Sequence, residues 1–216
     1  MELPFTPDQF FGVFAEYNDA FWPLVVAWWC ATTAALLAVW RRPGRWSPMV
    51  SLFLGGLWLW NAVAYHAFLF TRINPAAWLF AGLFAVQGVL FLRAGLGRPL
   101  EYFSSAATGR TIGLVLVGYS LAYPFLTMAL GHRYPATPTF GLPCPTVILT
   151  SGLLLTVRGA PLLSLVPIPV VWAFIGGSAA VLLAVPTDFA LLATGVLLPV
   201  MGIAERRSTS AATTVP

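Results

Sequence analysis

Lysine is missing from all 216 residues, and the chain holds only two cysteines, two histidines and seven acids. Each scarcity excludes something. Without a lysine amine, no retinal or other Schiff base can form on a side chain. Two cysteines, Cys30 and Cys144, cannot make a disulfide framework. Cys30 falls inside an apolar run and Cys144 in a loop, so both are expected as free thiols. Charged residues make up 8% of the chain, against roughly 25% in ordinary soluble domains. A soluble fold would have too little polar surface to face water. Compact metal signatures such as C-x-x-C and H-E-x-x-H do not occur, and a three-histidine zinc centre lacks its third histidine. The first arginine is Arg41. The basic stretch that opens a cleaved leader is therefore missing, and the first apolar run is expected to be retained as a helix.

What is present is oil. Apolar side chains account for 59% of the residues, gathered into seven segments that read as helices. These run from about Ala20 to Trp40, Met49 to Phe70, Ala76 to Leu92, Thr111 to Leu130, Pro145 to Arg158, Leu162 to Val185, and Phe189 to Ile203. The expected fold is an all-α integral membrane bundle with seven transmembrane helices, filling residues 1–207. A polar, disordered cytoplasmic tail is expected over 208–216.

The arginines orient this bundle. With the N-terminus outside, Arg41, Arg42, Arg45, Arg93, Arg98, Arg110, Arg158, Arg206 and Arg207 all face the cytoplasm, and only Arg72 and Arg133 face out. Enrichment of Arg and Lys in short cytoplasmic loops is the strongest orientation signal in a membrane sequence, so the expectation is N-terminus out and C-terminus in. Against Glu101 and Glu205 the inner set nets +7. Against Glu2, Asp8, Glu16, Asp19 and Asp188 the outer set nets −3. The overall +4 is thus spread over membrane turns and does not read as a nucleic-acid surface.

Ahead of the first span, Thr6, Pro7 and Gln9 form a helix-start signature: N-cap, first helical position and capping-box partner. Phe10, Val13, Phe14 and Tyr17 then recur at helical spacing, which predicts a short amphipathic helix over residues 1–19 lying on the outer leaflet. Pro23 marks the expected break from the span that follows. The fifth segment is too short. About a dozen residues separate Pro145 from Arg158, roughly 18 Å of helix, where a hydrocarbon core of about 30 Å asks for nearer twenty. Four prolines and a glycine precede it between Tyr134 and Pro145. Two readings fit: Arg158 snorkels up from a thin region, or the proline-rich stretch folds into the outer leaflet against protein. The small-residue run Gly176-Gly-Ser-Ala-Ala180 reads as a close helix–helix contact.

Polar groups inside apolar spans are costly, and they mark the candidates. The second segment carries Asn61, Tyr65 and His66, then Arg72 at its outer end, and Trp58, Asn61, Tyr65 and Arg72 share one face at α-helical spacing. His132 and Arg133 sit at the outer end of the fourth segment. Together Asn61, Tyr65, His66, Arg72, His132 and Arg133 are expected to line an outward-facing polar pocket, with Glu16 and Asp19 at the same level. Arg72 and Arg133 read either as ion-pair partners of Glu16 and Asp19 or as a rim that recognises a small anion. If a metal binds at all, His66, His132 and Cys144 are its candidate ligands. No catalytic residue is assigned and no cofactor is strongly indicated.

Several stretches carry a resemblance: Phe10-Phe11-x-Val-Phe14 leading to Tyr17-Asn18 and Trp22-Pro23; Trp60-Asn61 and Tyr65-His66; Arg72-Ile-Asn74-Pro75; Gly131-His132-x-Tyr134-Pro135; and Pro143-Cys144-Pro145-Thr146. Together they resemble an uncharacterised family of bacterial multi-pass membrane proteins, a domain of unknown function. The resemblance implies a bacterial inner-membrane protein and transfers no site residue. From the residues themselves the leading expectation is transport or binding of a small solute or ion. Two others stand beside it: a metal, haem or quinone protein using His66 and His132, and an accessory subunit of a membrane complex. The partners expected are the lipid bilayer, a small solute or ion, and a second copy or another membrane protein, with no nucleic acid.

Overall fold

The computed structural model describes residues 3–97, 100–104, 107, 109–157 and 164–213, with the side chains of 205–213 outside the description. Arg98, Arg158 and the start of the sixth predicted helix at Leu162 lie outside it, as do the side chains of Glu205, Arg206 and Arg207.

Among the described residues the chain is all helical, without strands. The long helix α1 (Pro7–Arg41) opens with the expected cap: Thr6 Oγ1 accepts from Gln9 N at 3.2 Å, and Gln9 Oε1 accepts from Thr6 N at 2.8 Å. The expected break comes as a kink, with Phe21 at φ −124° and ψ 16°, two residues before Pro23. A proline nitrogen cannot donate to the preceding turn, and its ring crowds the carbonyl four residues back. The apolar face of the first segment does not look outward. Phe10, Val13, Phe14 and Tyr17 are buried against protein.

Helix α2 (Pro43–Trp60) continues without a break into a nine-residue π-helix (Asn61–Leu69) and a short 3-10 turn (Phe70–Arg72). The π segment changes the period at the candidate residues, and this alters which of them share a side. Asn61, Tyr65 and His66 all turn inward and are buried, whereas Arg72 is exposed. α3 (Ala77–Leu96) packs back along α2, and α4 (Arg110–Ala129) packs on α5 (Pro143–Leu155). α6 (Pro167–Gly177) and the single turn α7 (Ala179–Leu182) replace the long sixth helix of the sequence reading. They lead through a 3-10 turn (Pro186–Asp188) into α8 (Phe189–Thr213). α8 runs past Ser208, where the sequence reading begins the tail.

The short fifth segment is the centre of the molecule. Every residue of α5 from Pro143 to Leu155 is buried, with α4, α8, α6 and α2 packed around it. A helix apolar all round belongs in a core, and that is its place here. The α4 side is very close. A Cβ built on Gly113 would meet the Gly152 carbonyl oxygen at 2.5 Å, and one on Gly152 would meet the Gly113 carbonyl at 2.8 Å. The small-residue run also packs closely: a Cβ on Gly177 would come 2.7 Å from the Leu192 side chain of α8.

Five helical segments are long and apolar enough to cross a membrane: Pro7–Arg41, Pro43–Arg72, Ala77–Leu96, Arg110–Ala129 and Pro186–Ala204. The other two predicted spans are represented by the shorter apolar helices Pro143–Leu155 and Pro167–Leu182. Large apolar side chains crowd the outside, among them Trp78, Leu79, Phe68, Val115 and Val181, each about two-thirds exposed.

Candidate functional site

The proline-rich stretch before α5 is held against α1 by two adjacent residues. Asn18, fully buried, donates through Nδ2 to the Pro135 carbonyl (2.6 Å) and the Thr137 carbonyl (2.9 Å), and its Oδ1 accepts from Thr139 Oγ1. The Tyr17 hydroxyl donates to the Gly141 carbonyl at 3.2 Å while accepting from Trp60 Nε1 at 2.8 Å. Backbone without regular structure can be buried only if its carbonyls find partners, and the α1 side chains supply them. From Thr137 to Pro145 the stretch is buried against protein.

This clamp leaves a cavity at the end of the bundle that carries the N-terminus. It measures about 380 Å³. Aromatic rings form much of its wall: Phe5, Phe10, Phe14, Tyr65, Phe70 and Phe80, with Trp172 from α6. Leu142, Cys144, Ala179 and Leu183 add to the lining, and the exposed Ile175 and Leu182 stand at its edge. The expected polar pocket is therefore replaced by an apolar one. Of the six residues expected to line it, only Tyr65 does. The physical reason lies in α1: its amphipathic face brings a row of phenylalanines over the end of the bundle.

The other candidates scatter. Asn61 is buried and structural in its contacts, donating to the Leu57 carbonyl (2.8 Å) and to Thr146 Oγ1 on α5 (3.2 Å). His66 is fully buried in a shell of rings, with Phe84 at 4.5 Å and Trp172 at 4.9 Å between centroids. Neither of its nitrogens has a hydrogen-bond partner among the described residues. His132 is near the surface, its Nε2 3.1 Å from the Ala184 carbonyl and its ring beside Phe11. Arg72 pairs with Glu16 at 2.5 Å, both half exposed. Such a pair contributes about 0–1 kcal/mol. Asp19 and Arg133 are exposed. His66, His132 and Cys144 thus have separate surroundings, and no group of three or more His, Cys, Asp or Glu forms among the described residues.

Sequence reasoning missed the most unusual polar group. Asp188, counted there as an outer-face charge, is 1% exposed. Tyr123 of α4 donates its hydroxyl proton to Asp188 Oδ1 at 2.5 Å, and the Cys144 thiol donates to Oδ2 at 3.5 Å. Thr127 and Thr187 share a hydrogen bond beside them (3.1 Å), and Tyr119 donates to the Thr187 carbonyl (2.9 Å). Among the described residues no arginine or histidine pairs with Asp188; the ion pair found is Arg72–Glu16. Cys144, expected in a loop, instead occupies the first turn of α5 and joins this carboxylate to the cavity wall. A signal did exist in the sequence: an acid directly before the apolar run of α8, where the helix N-terminus favours negative charge.

No curated protein matches the chain, and no solved structure does. One family matches nearly all of it, residues 7–213, and its description is a family of unknown function, DUF6064. That span takes in Asn18, Tyr65, Cys144 and Asp188, so the whole cavity wall apart from its extreme N-terminal residues lies within the match. The chain belongs to this family.

Proposed function

We propose that the chain is a multi-pass membrane protein that binds a small lipophilic molecule in the cavity between the start of α1, the π-helical end of α2 and α6–α7. The single observation that carries this is the cavity itself. A volume of about 380 Å³ is within the usual range of roughly 300–1,000 Å³ for small-molecule sites, and the walls are almost wholly apolar. Ile175 and Leu182 stand exposed at the cavity edge, so an apolar ligand could enter from surrounding hydrocarbon without crossing water. The outward-facing large apolar side chains are those a lipid environment accommodates.

In this reading the chain sits in a bacterial inner membrane. The five long helices cross it, and the two short ones complete seven passes, α5 from inside the bundle and α6–α7 with one side outward. The split of nine arginines against two supports an external N-terminus, which sets the cavity toward the outer leaflet.

The test uses purified full-length protein and a neutral dye whose emission rises in apolar surroundings. Saturable emission in wild type, lost in Ala179→Trp but kept in the lipid-facing control Val115→Trp, is the expected result. Equal emission from both variants sinks the reading.

A further inference from the structure

The charge pattern around the cavity narrows its ligand. Among the described residues no arginine or histidine lines it; besides Tyr65, its polar members are Asn74, Cys144 and Ser178. Behind Cys144 stands the buried Asp188, whose oxygens accept from two neutral donors, the Tyr123 hydroxyl and the Cys144 thiol. Both donors are neutral, so no cation among the described residues balances a charge on Asp188, and a cation bound close by favours its ionised form. In a low-dielectric interior that charge acts at several ångströms, and a single side chain, Cys144, separates it from the ligand space. The aromatic rings act in the same direction, because their faces carry negative partial charge and attract cations.

Resting on the cavity reading above, we propose that the ligand is a lipophilic organic cation, an alkyl- or aryl-substituted ammonium, held by the aromatic wall with Asp188 as its counter-charge. The apolar walls take the hydrocarbon part. The ammonium head faces the Cys144 wall, and no covalent step is involved. A neutral lipophile would use the same walls but would gain nothing from Asp188. An anion would find no cationic partner among the described residues of that wall.

The experiment compares two probes of nearly identical shape, benzyltrimethylammonium and its neutral carbon isostere neopentylbenzene. Each is titrated against the neutral dye on full-length protein. In wild type both displace the dye. In Asp188→Asn the cation weakens by about tenfold or more, the scale of one lost buried charge pairing, while the neutral isostere stays within about twofold. Phe5→Leu serves as a second variant at the mouth, lowering cation affinity by roughly two- to fivefold with little change for the isostere. Unchanged cation affinity in both variants overturns the proposal, and so does failure of the cation to displace a dye that does bind. Parallel loss of both probes in Asp188→Asn also overturns it, by showing that Asp188 only shapes the fold. If the dye itself never binds, the cavity reading fails first.

Discussion

The Tyr17 hydroxyl donates to the Gly141 carbonyl across 3.2 Å, joining residues 124 positions apart in the chain. Gly141 has φ +86°, a conformation that favours glycine, and a Cβ placed there would come 2.5 Å from the Tyr17 oxygen. Trp60 Nε1 donates to the same hydroxyl at 2.8 Å, so one phenol ties α1, the end of α2 and the connection into α5 together. The cavity is formed where these three meet.

Removing that phenol should loosen the whole end. Tyr17→Phe leaves the Gly141 carbonyl and the Trp60 indole without their partner. The cost of buried unpaired groups is about 1–3 kcal/mol. Gly141→Ala should cost more, adding backbone strain to a steric clash. Thermal unfolding in detergent is the measurement, and a Tyr17→Phe melting curve that overlays wild type would contradict this account.

Close packing between α4 and α5 yields a second prediction. Gly152→Ala forces a methyl group toward the Gly113 backbone, which cannot swing aside as a side chain can. A loss of about 1–3 kcal/mol is expected for overpacking of this kind. Gly12→Ala is the matched control, since nothing lies within 4 Å of its Cβ position; in mid-helix it should be neutral or mildly stabilising. The two variants melting alike would show that the α4–α5 contact tolerates widening.

His66 offers the most diagnostic substitution. Its two ring nitrogens are buried without partners among the described residues, surrounded by aromatic rings. Replacing an unpaired buried polar group by an apolar one of similar shape is neutral or stabilising. His66→Phe should therefore melt at or above the wild-type temperature. A drop worth more than about 1 kcal/mol, the typical net worth of one hydrogen bond, would reveal a partner on those nitrogens, and the histidine would return to the binding site.

Part of the site was legible beforehand and part was not. Tyr65 was found because a phenol in an apolar span is conspicuous, and the Thr6–Gln9 cap because its spacing is local. Asp188 was overlooked because an acid beside Pro186 looks like a loop charge, and only the packing of Tyr123 and Cys144 shows it to be interior. The phenylalanines of α1 were read correctly as one face, yet what that face covers is not a local property.

Composition and the lengths of the apolar runs led to a helical molecule with several apolar rods, because 8% charge is little polar surface for water and runs near twenty residues suit membrane-length helices. The order of the helices and the start of the first followed from periodicity and capping, interactions that reach only a few residues along the backbone. Tertiary structure decided that α5 is the core helix, that the pocket is apolar, and that Asp188 lies behind Cys144. Those outcomes depend on contacts between residues dozens to more than a hundred positions apart. Side chains of that separation meet only once every helix has found its neighbours.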